Sequence, residues 1–230
     1  MGRSGLNMNN IITVDGPSGV GKGTLSLRLA NKLGWHFLDS GAIYRAVAVF
    51  SEKSGVDLED EDKVAALSIN LPLAFKVKGD TLGIYLNDEE VTSLVRAETT
   101  GNKASIVAKH PKVRLNLLQR QRDFAQMPGL IADGRDMGTE IFPSAPLKLF
   151  LTASAAVRAN RRYKQLLDAG NCVNIEQILS EVEARDERDR TRATSPLIPA
   201  EDALIIDTST LGVDEVFEQA WAEVSKRFSL

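Results

Sequence analysis

Apolar residues along the chain gather in short continuous runs, and the stretches between them repeat at helical spacing. Ile11-Ile12-Thr13-Val14 is closed by Asp15-Gly16-Pro17, and a short apolar run bounded by turn residues predicts a buried strand. Leu25, Leu29 and Leu33, with Leu27 and Ala30 beside them, then fall on one helix face, so a helix is predicted from about Lys22 to Leu33 with Gly34 as its stop. Trp35-His36-Phe37-Leu38 predicts the next strand. Leu130-Ile131-Ala132, Leu147-Lys148-Leu149-Phe150-Leu151 and Ala203-Leu204-Ile205-Ile206 carry the same buried-strand signature. Val213, Val216, Phe217, Ala220, Trp221, Val224 and Phe228 mark a last amphipathic helix. Strands alternating with helices imply a parallel sheet covered on both faces, with ligands at the carboxyl ends of its strands.

One stretch breaks the alternation. Between Leu73 and Val91, the run Ala74-Phe75-Lys76-Val77, a Lys78-Gly79-Asp80 turn, the run Leu82-Gly83-Ile84-Tyr85-Leu86 and an Asn87-Asp88 turn predict an antiparallel meander. An inserted subdomain is therefore expected at 70–100, leaving 9–69 and 101–230 for the core. Met1 to Asn7 precede Met8 and the first apolar run, and residues 1–8 are expected to be a leader or a frayed terminus. There is no internal repeat and no low-complexity segment.

Composition narrows the function classes. The chain has 230 residues, enough for one large domain or a core with insertions, and 43% hydrophobic with 26% charged residues is ordinary for a globular protein. No apolar run approaches the ~18 residues of a membrane helix, so no membrane partner is expected. The one cysteine, Cys172, excludes an intrachain disulfide, and with no secretory leader visible the expected compartment is the cytoplasm. A net charge of −3 offers no general attraction to nucleic acid. A monomer is expected.

Gly16-Pro17-Ser18-Gly19-Val20-Gly21-Lys22-Gly23-Thr24 lies between a predicted strand and a predicted helix, the context a phosphate-binding loop requires. Its glycines let backbone N–H groups turn inward around phosphates, the helix N-terminus adds positive dipole, and Lys22 can reach the β- and γ-phosphate oxygens of ATP. The Gly19-x-Gly21-x-Gly23 spacing is not that of dinucleotide-binding folds, which argues against a dehydrogenase. Gly23 stands where a hydroxyl residue usually follows the lysine, with Thr24 one place later. No residue is therefore assigned as a direct metal ligand, and Mg²⁺ is expected to arrive with ATP, held by phosphates and water.

At the end of the second predicted strand stands Asp39-Ser40-Gly41-Ala42-Ile43-Tyr44-Arg45. Ser40, Tyr44 and Arg45 could cap, stack on and charge-pair with a nucleotide monophosphate, or could simply begin an amphipathic helix. Asp133-Gly134-Arg135-Asp136-Met137-Gly138 ends the third strand. There Asp133 is a candidate for the Mg²⁺ water shell and Arg135 for a phosphate clamp, the alternative being a surface turn with an internal salt bridge. On a helix Arg185, Arg188, Asp189 and Arg192 fall at i, i+3, i+4 and i+7, so they share one face. Alone, that is a solvated, salt-bridged helix. Beside a phosphate loop it reads as a lid, spanning about 158–195, that brings cations over the migrating phosphoryl group. Arg158, Arg161 and Arg162 could flank the ATP base or lie on the surface.

Gly16–Thr24, Leu38–Arg45, Ala132–Gly138 and Arg185–Arg190 together resemble the signatures of the bacterial cytidylate kinases, a branch of the nucleoside monophosphate kinases; the resemblance spans about 9–228. It implies an α/β fold: a P-loop core with a five-stranded parallel sheet between helices, an inserted acceptor-binding subdomain with a small antiparallel sheet, and a helical lid. It implies transfer of the γ-phosphoryl group of ATP to CMP or dCMP, with Mg²⁺. On this resemblance Ser40, Tyr44, Ser105, Arg114 and Asp136 line the cytosine pocket, and Arg45 and Arg135, with Gly134, face the acceptor phosphate. Arg185 and Asp189 face the ribose and Arg192 the phosphate. The implied catalytic cations are Lys22, Arg135, Arg185, Arg188 and Arg192. Ser105 and Arg114 rest on the resemblance alone, since their local sequence predicts surface positions on helices. Three rival readings are a P-loop kinase for UMP, AMP or shikimate, a slow NTPase switch, and a nucleic-acid-binding protein using the arginine run.

Overall fold

The computed structural model describes residues 10–78 and 81–230; the expected leader at 1–8 and the Gly79-Asp80 part of the first meander turn lie outside them. In chain order the elements begin with β1 (Ile11–Asp15), α1 (Lys22–Leu33), β2 (His36–Asp39), α2 (Ser40–Lys53) and α3 (Glu61–Ile69). Next come β3 (Leu73–Lys78), β4 (Thr81–Leu86), β5 (Glu89–Glu90), α4 (Thr92–Arg96), α5 (Glu98–Val107) and α6 (Pro111–Arg122). The chain continues through β6 (Leu130–Asp133), a π-helical turn (Met137–Ile141), β7 (Leu147–Thr152), α7 (Ala155–Asp168), α8 (Ile175–Thr191), β8 (Leu204–Asp207) and α9 (Val213–Phe228). By compactness it divides into two units, one running through Leu38 and resuming from Arg122 to Leu230, the other Asp39–Gln121.

In the first unit the strands form a five-stranded parallel sheet in the order β2-β6-β1-β7-β8. Every residue of β1 is buried, so both faces of this central strand are covered. That explains a continuous apolar run rather than an alternating one. Leu25 and Leu29 of α1 and Val216, Phe217, Ala220 and Val224 of α9 pack with Ile12, Val14, Ile131, Leu149 and Leu151 of the sheet. Each fully buried Leu, Ile or Val contributes about 1.5–3 kcal/mol of transfer free energy. The parallel register pairs Val14 with both Asp133 and Leu149, and Asp15 with Phe150. The carboxyl ends of β1, β6 and β7 therefore emerge at one edge.

All five parallel strands run one residue beyond the predicted apolar runs, and two of them also start one residue later. β2 starts at His36 because Trp35 turns its ring edge-on to Phe228, with centroids 5.1 Å apart, over Gly129, where any Cβ would meet the indole at 2.4 Å. β8 starts at Leu204 because the Ala203 N–H closes a turn onto the Ala200 carbonyl.

In the second unit β3, β4 and β5 form the expected antiparallel sheet, and Asn87 and Asp88, with φ of 48° and 64°, make its left-handed two-residue turn. The Arg120 guanidinium on α6 donates to the Leu71 and Leu73 carbonyls at 2.7 and 2.8 Å, tying the start of that sheet to the helix. Helix α2 begins behind Asp39, whose carboxylate caps the Ala42 N–H at 2.9 Å.

Candidate active site

Between β1 and α1 the chain follows the path expected of a phosphate loop. Gly16, Gly19 and Gly21 all have positive φ, at 143°, 81° and 96°. At Gly16 no other residue fits, since a Cβ would stand 2.1 Å from the Leu151 carbonyl oxygen. Lys22 opens α1 and is buried, its ammonium donating to the Pro17 carbonyl at 2.8 Å. Burial, then repulsion from Arg135 and Arg185, lowers the Lys22 ammonium to a pKa of about 7, even though Asp133 and Asp15 pull the other way. The loop is thus an electropositive hollow whose chemistry suits an anion.

Asp15, the last residue of β1, accepts from the Met137 and Gly138 N–H groups, each at 2.8 Å. Burial raises its carboxyl to about 7 despite those two hydrogen bonds, and Asp136 adds repulsion. Asp133 is also buried, and a Cβ on Gly23 would lie 3.6 Å from its Oδ2, so this carboxylate faces the phosphate loop beside Thr24. Thr24 itself is exposed on the first turn of α1.

Arg135, on the segment after β6, donates through Nε to Asp189 Oδ2 at 2.9 Å. Arg185 and Asp189 are both buried, one turn apart on α8. Burial opposes charge on both Arg135 and Asp189, but their mutual attraction wins. It holds the Asp189 carboxyl below the ordinary range and lifts Arg135 above its own. Arg192 joins the cluster with Nη2 3.9 Å from Asp136 Oδ1. The helical spacing that put Arg192 on the α8 face does not account for this. The helix ends at Thr191, Arg192 takes extended backbone, and its guanidinium turns back onto the Ser195 carbonyl. Arg188 is exposed, so of the four residues at that spacing it alone stays out of the buried group.

Helices α7 and α8 form a hairpin tied to the phosphate loop by arginines that the sequence left between a ligand role and the surface. Arg158 is 3% exposed; it donates to the Ser18 carbonyl at 3.1 Å and Ala153 carbonyl at 3.0 Å, and pairs with both carboxylate oxygens of Asp186. Arg161 donates to Thr208 Oγ1 at 3.1 Å, and that hydroxyl donates in turn to the Val20 carbonyl at 3.2 Å.

In the second unit Ser40 is buried and donates to Gln121 Oε1 at 2.7 Å. Arg114, expected at the surface from its local sequence, is 7% exposed, with its guanidinium carbon 5.6 Å from the Tyr44 ring centroid and Nη1 donating to the Ala108 carbonyl at 3.2 Å. Its signal is missing from the sequence because α6 is a weakly patterned helix. Arg45 donates to the Val95 carbonyl at 3.2 Å, and Ser105 is half-buried on α5. Sequence reasoning passes over the site roles of Asp15 and Thr208 altogether. Asp15 has a usable signal, a carboxylate ending a strand buried on both faces.

A buried strand, a glycine turn with an anion-seeking lysine and a helix N-terminus define an α/β protein of the P-loop class. Within that class the cytidylate kinase family model matches residues 12–226, and the chain belongs to the cytidylate kinase family. A cytidylate kinase of Photobacterium profundum is 53% identical over 216 residues, covering 94% of this chain and 95% of the relative. One from Shewanella denitrificans is 54% identical over 221 residues, covering 95% and 97%. Among solved structures, a protein from Eubacterium ventriosum superposes with a TM-score of 0.51 at 13% identity over 95% of this chain and 99% of that one, a likeness of fold alone.

Proposed function

We propose that the chain transfers the γ-phosphoryl group of ATP to CMP or dCMP, giving ADP and CDP or dCDP, as a cytoplasmic monomer. The observation that carries this reading is the convergence of Lys22, Arg135, Arg185 and Arg192 with Asp189 and Asp136 in one unit, next to the phosphate loop. The identity of about half the residues with cytidylate kinases supports the choice of acceptor.

In the reaction an oxygen of the acceptor phosphate attacks the γ-phosphorus in line, a new P–O bond forms, and the bridging bond to the β-phosphate breaks with its electrons staying on ADP. The attacking oxygen is already anionic, so no strong general base is needed, and positioning with charge neutralisation does most of the catalysis. Lys22 and the backbone N–H groups of Gly16–Thr24 hold the ATP phosphates. Arg135, Arg185, Arg188 and Arg192 supply charge over the migrating group, Arg188 by leaving its exposed position as the α7–α8 lid closes.

Ser40, Tyr44, Ser105, Arg114 and Asp136 take the cytosine; Arg45 and Arg135, with Gly134, take the acceptor phosphate. Arg185 and Asp189 take the ribose, and Arg192 the phosphate. The placement of Arg114 over the Tyr44 ring supports a flat base there. Mg²⁺ suits the donor set: the described residues contain no cluster of three His, Cys, Asp or Glu able to cage a metal, but they offer the Asp133 carboxylate and the Thr24 hydroxyl, which would hold the ion through water. Bound with ATP, it neutralises charge on the β- and γ-phosphates.

A coupled ADP-release assay with Mg·ATP and CMP, dCMP, UMP, AMP or shikimate in turn tests this reading. CMP and dCMP are expected to turn over fastest. A faster UMP, AMP or shikimate reaction would move the acceptor assignment, and ADP formed equally with no acceptor would indicate an NTPase.

A further inference from the structure

The π-helical turn Met137–Ile141 follows directly on Arg135 and Asp136, and a helical start leaves backbone N–H groups in need of acceptors. Asp136 occupies the capping position, yet its side chain makes no cap hydrogen bond. The two N–H groups, of Met137 and Gly138, are instead taken by the two oxygens of Asp15, one each, from the end of β1. The carboxylate of Asp136 is thereby left for the Arg192 side of the site. Gly138 is shaped for this approach: a Cβ there would meet Thr13 Oγ1 at 2.9 Å, Lys148 Cδ at 3.1 Å and Asp15 Oδ2 at 3.3 Å.

We propose that Asp15 is a positioning residue for phosphoryl transfer: by capping the turn in place of Asp136, it fixes the backbone that aims Arg135 and Asp136 at the acceptor nucleotide. The inference rests on the acceptor roles proposed above for those two residues. It also explains why a buried acid is kept at the mouth of the phosphate loop. Its charged neighbours are Lys22 from α1 and Arg135 and Asp136 from the segment after β6. Burial, with repulsion from Asp136, outweighs the nearby cations and makes the charged carboxylate costly, a cost more often found at functional positions than in structural cores. An aliphatic side chain would fill the space without it but accept nothing, and an amide has one acceptor oxygen where these two N–H groups each take a separate oxygen.

The test uses Asp15→Asn, which preserves shape but turns one acceptor into a donor facing an N–H group. With folding checked by thermal melting, KM for CMP is expected to rise about tenfold or more and kcat to fall. The Kd for ATP, measured by calorimetry, should change by less than about threefold. Backbone amide exchange at Met137 and Gly138 should speed up by a similar tenfold. Should that variant not fold, Gly138→Ala, which pushes the turn off the carboxylate, is expected to give the same split between CMP and ATP. Unchanged CMP kinetics in Asp15→Asn, alongside a raised KM in Arg135→Ala and Asp136→Ala, would overturn the inference and leave the acceptor reading standing. So would a loss of ATP affinity as large as the loss for CMP, since Asp15 would then serve the phosphate loop itself. If Arg135→Ala and Asp136→Ala both leave CMP kinetics untouched, the acceptor reading falls and this inference falls with it.

Discussion

At the scale of single residues, the site is built from charges that the fold holds at a cost. Asp15 has its pKa raised to about 7 from an ordinary 3.8. Between those two values Asp15 holds more proton in the native protein than in the unfolded chain, so its contribution to stability falls as pH rises through that window and stays low above it. An Asp15→Asn protein lacks that slope. Relative to the parent it should gain up to about 4 kcal/mol on going from pH 4 to pH 8, whatever its offset at low pH. Urea unfolding of the nucleotide-free proteins at the two pH values measures this, and a pH-independent difference would contradict it. For Arg135, whose guanidinium holds Asp189, substitution by Ala should lower kcat on the order of 10³-fold or more, read in the ADP-release assay. Lys22 is legible in the sequence because lysine after a glycine turn, between strand and helix, has one dominant use. Arg114 and Ser105 are not legible from local pattern, because their place depends on what α5 and α6 pack against, which a single-helix period cannot show.

At the scale of elements, the α7–α8 hairpin shows where pattern reading stops. Its helices follow from caps that are present in the sequence, Ser154 accepting from Val157 N–H and Asn174 from Glu176 and Gln177 N–H. The end of α8 departs from the helical spacing at Arg192. Pro196, four residues on, restricts the residue before it, and the chain has already left the helix to reach that bend, with Ser195 at φ 50° and the Leu197 N–H bonded to the Asp189 carbonyl. The hairpin's hold on the phosphate loop runs through Arg158 and Asp186. Asp186→Ala should therefore cost about 1.5–3 kcal/mol, because a 3%-exposed guanidinium loses its charged partner but keeps two carbonyl acceptors. Thermal melting gives the cost, and faster amide exchange confined first to α8 would show that the hairpin is the part released.

On the scale of the whole molecule, the α/β architecture is readable because its buried strands are short apolar runs and helices α1 and α9 each carry one apolar stripe. The antiparallel sheet is readable from its turns, Asn87-Asp88 above all. The compactness boundaries at Asp39 and Gln121 carry no such punctuation. They fall at the β2–α2 junction and near the end of α6, inside continuous structure, with no proline- or glycine-rich linker to mark them. In the first unit α1 and α9 share one packed cluster with the sheet, so Leu29→Ala, at a fully buried α1 position, should lower stability by about 2–5 kcal/mol in chemical unfolding.

The donor-binding residues proposed here lie in the first unit, while Ser40, Tyr44, Arg45, Ser105 and Arg114 lie in the second. Joining them is one activity, the direct movement of a phosphoryl group from ATP onto a cytidine monophosphate. A single-turnover experiment with ATP labelled in its γ-phosphate, enzyme in excess and CMP present, tests it most directly. The label should appear in the β-phosphate of CDP, with none bound covalently to the protein at any time point, and Lys22→Ala should abolish the transfer. Label released as inorganic phosphate at the same rate with or without CMP would contradict it.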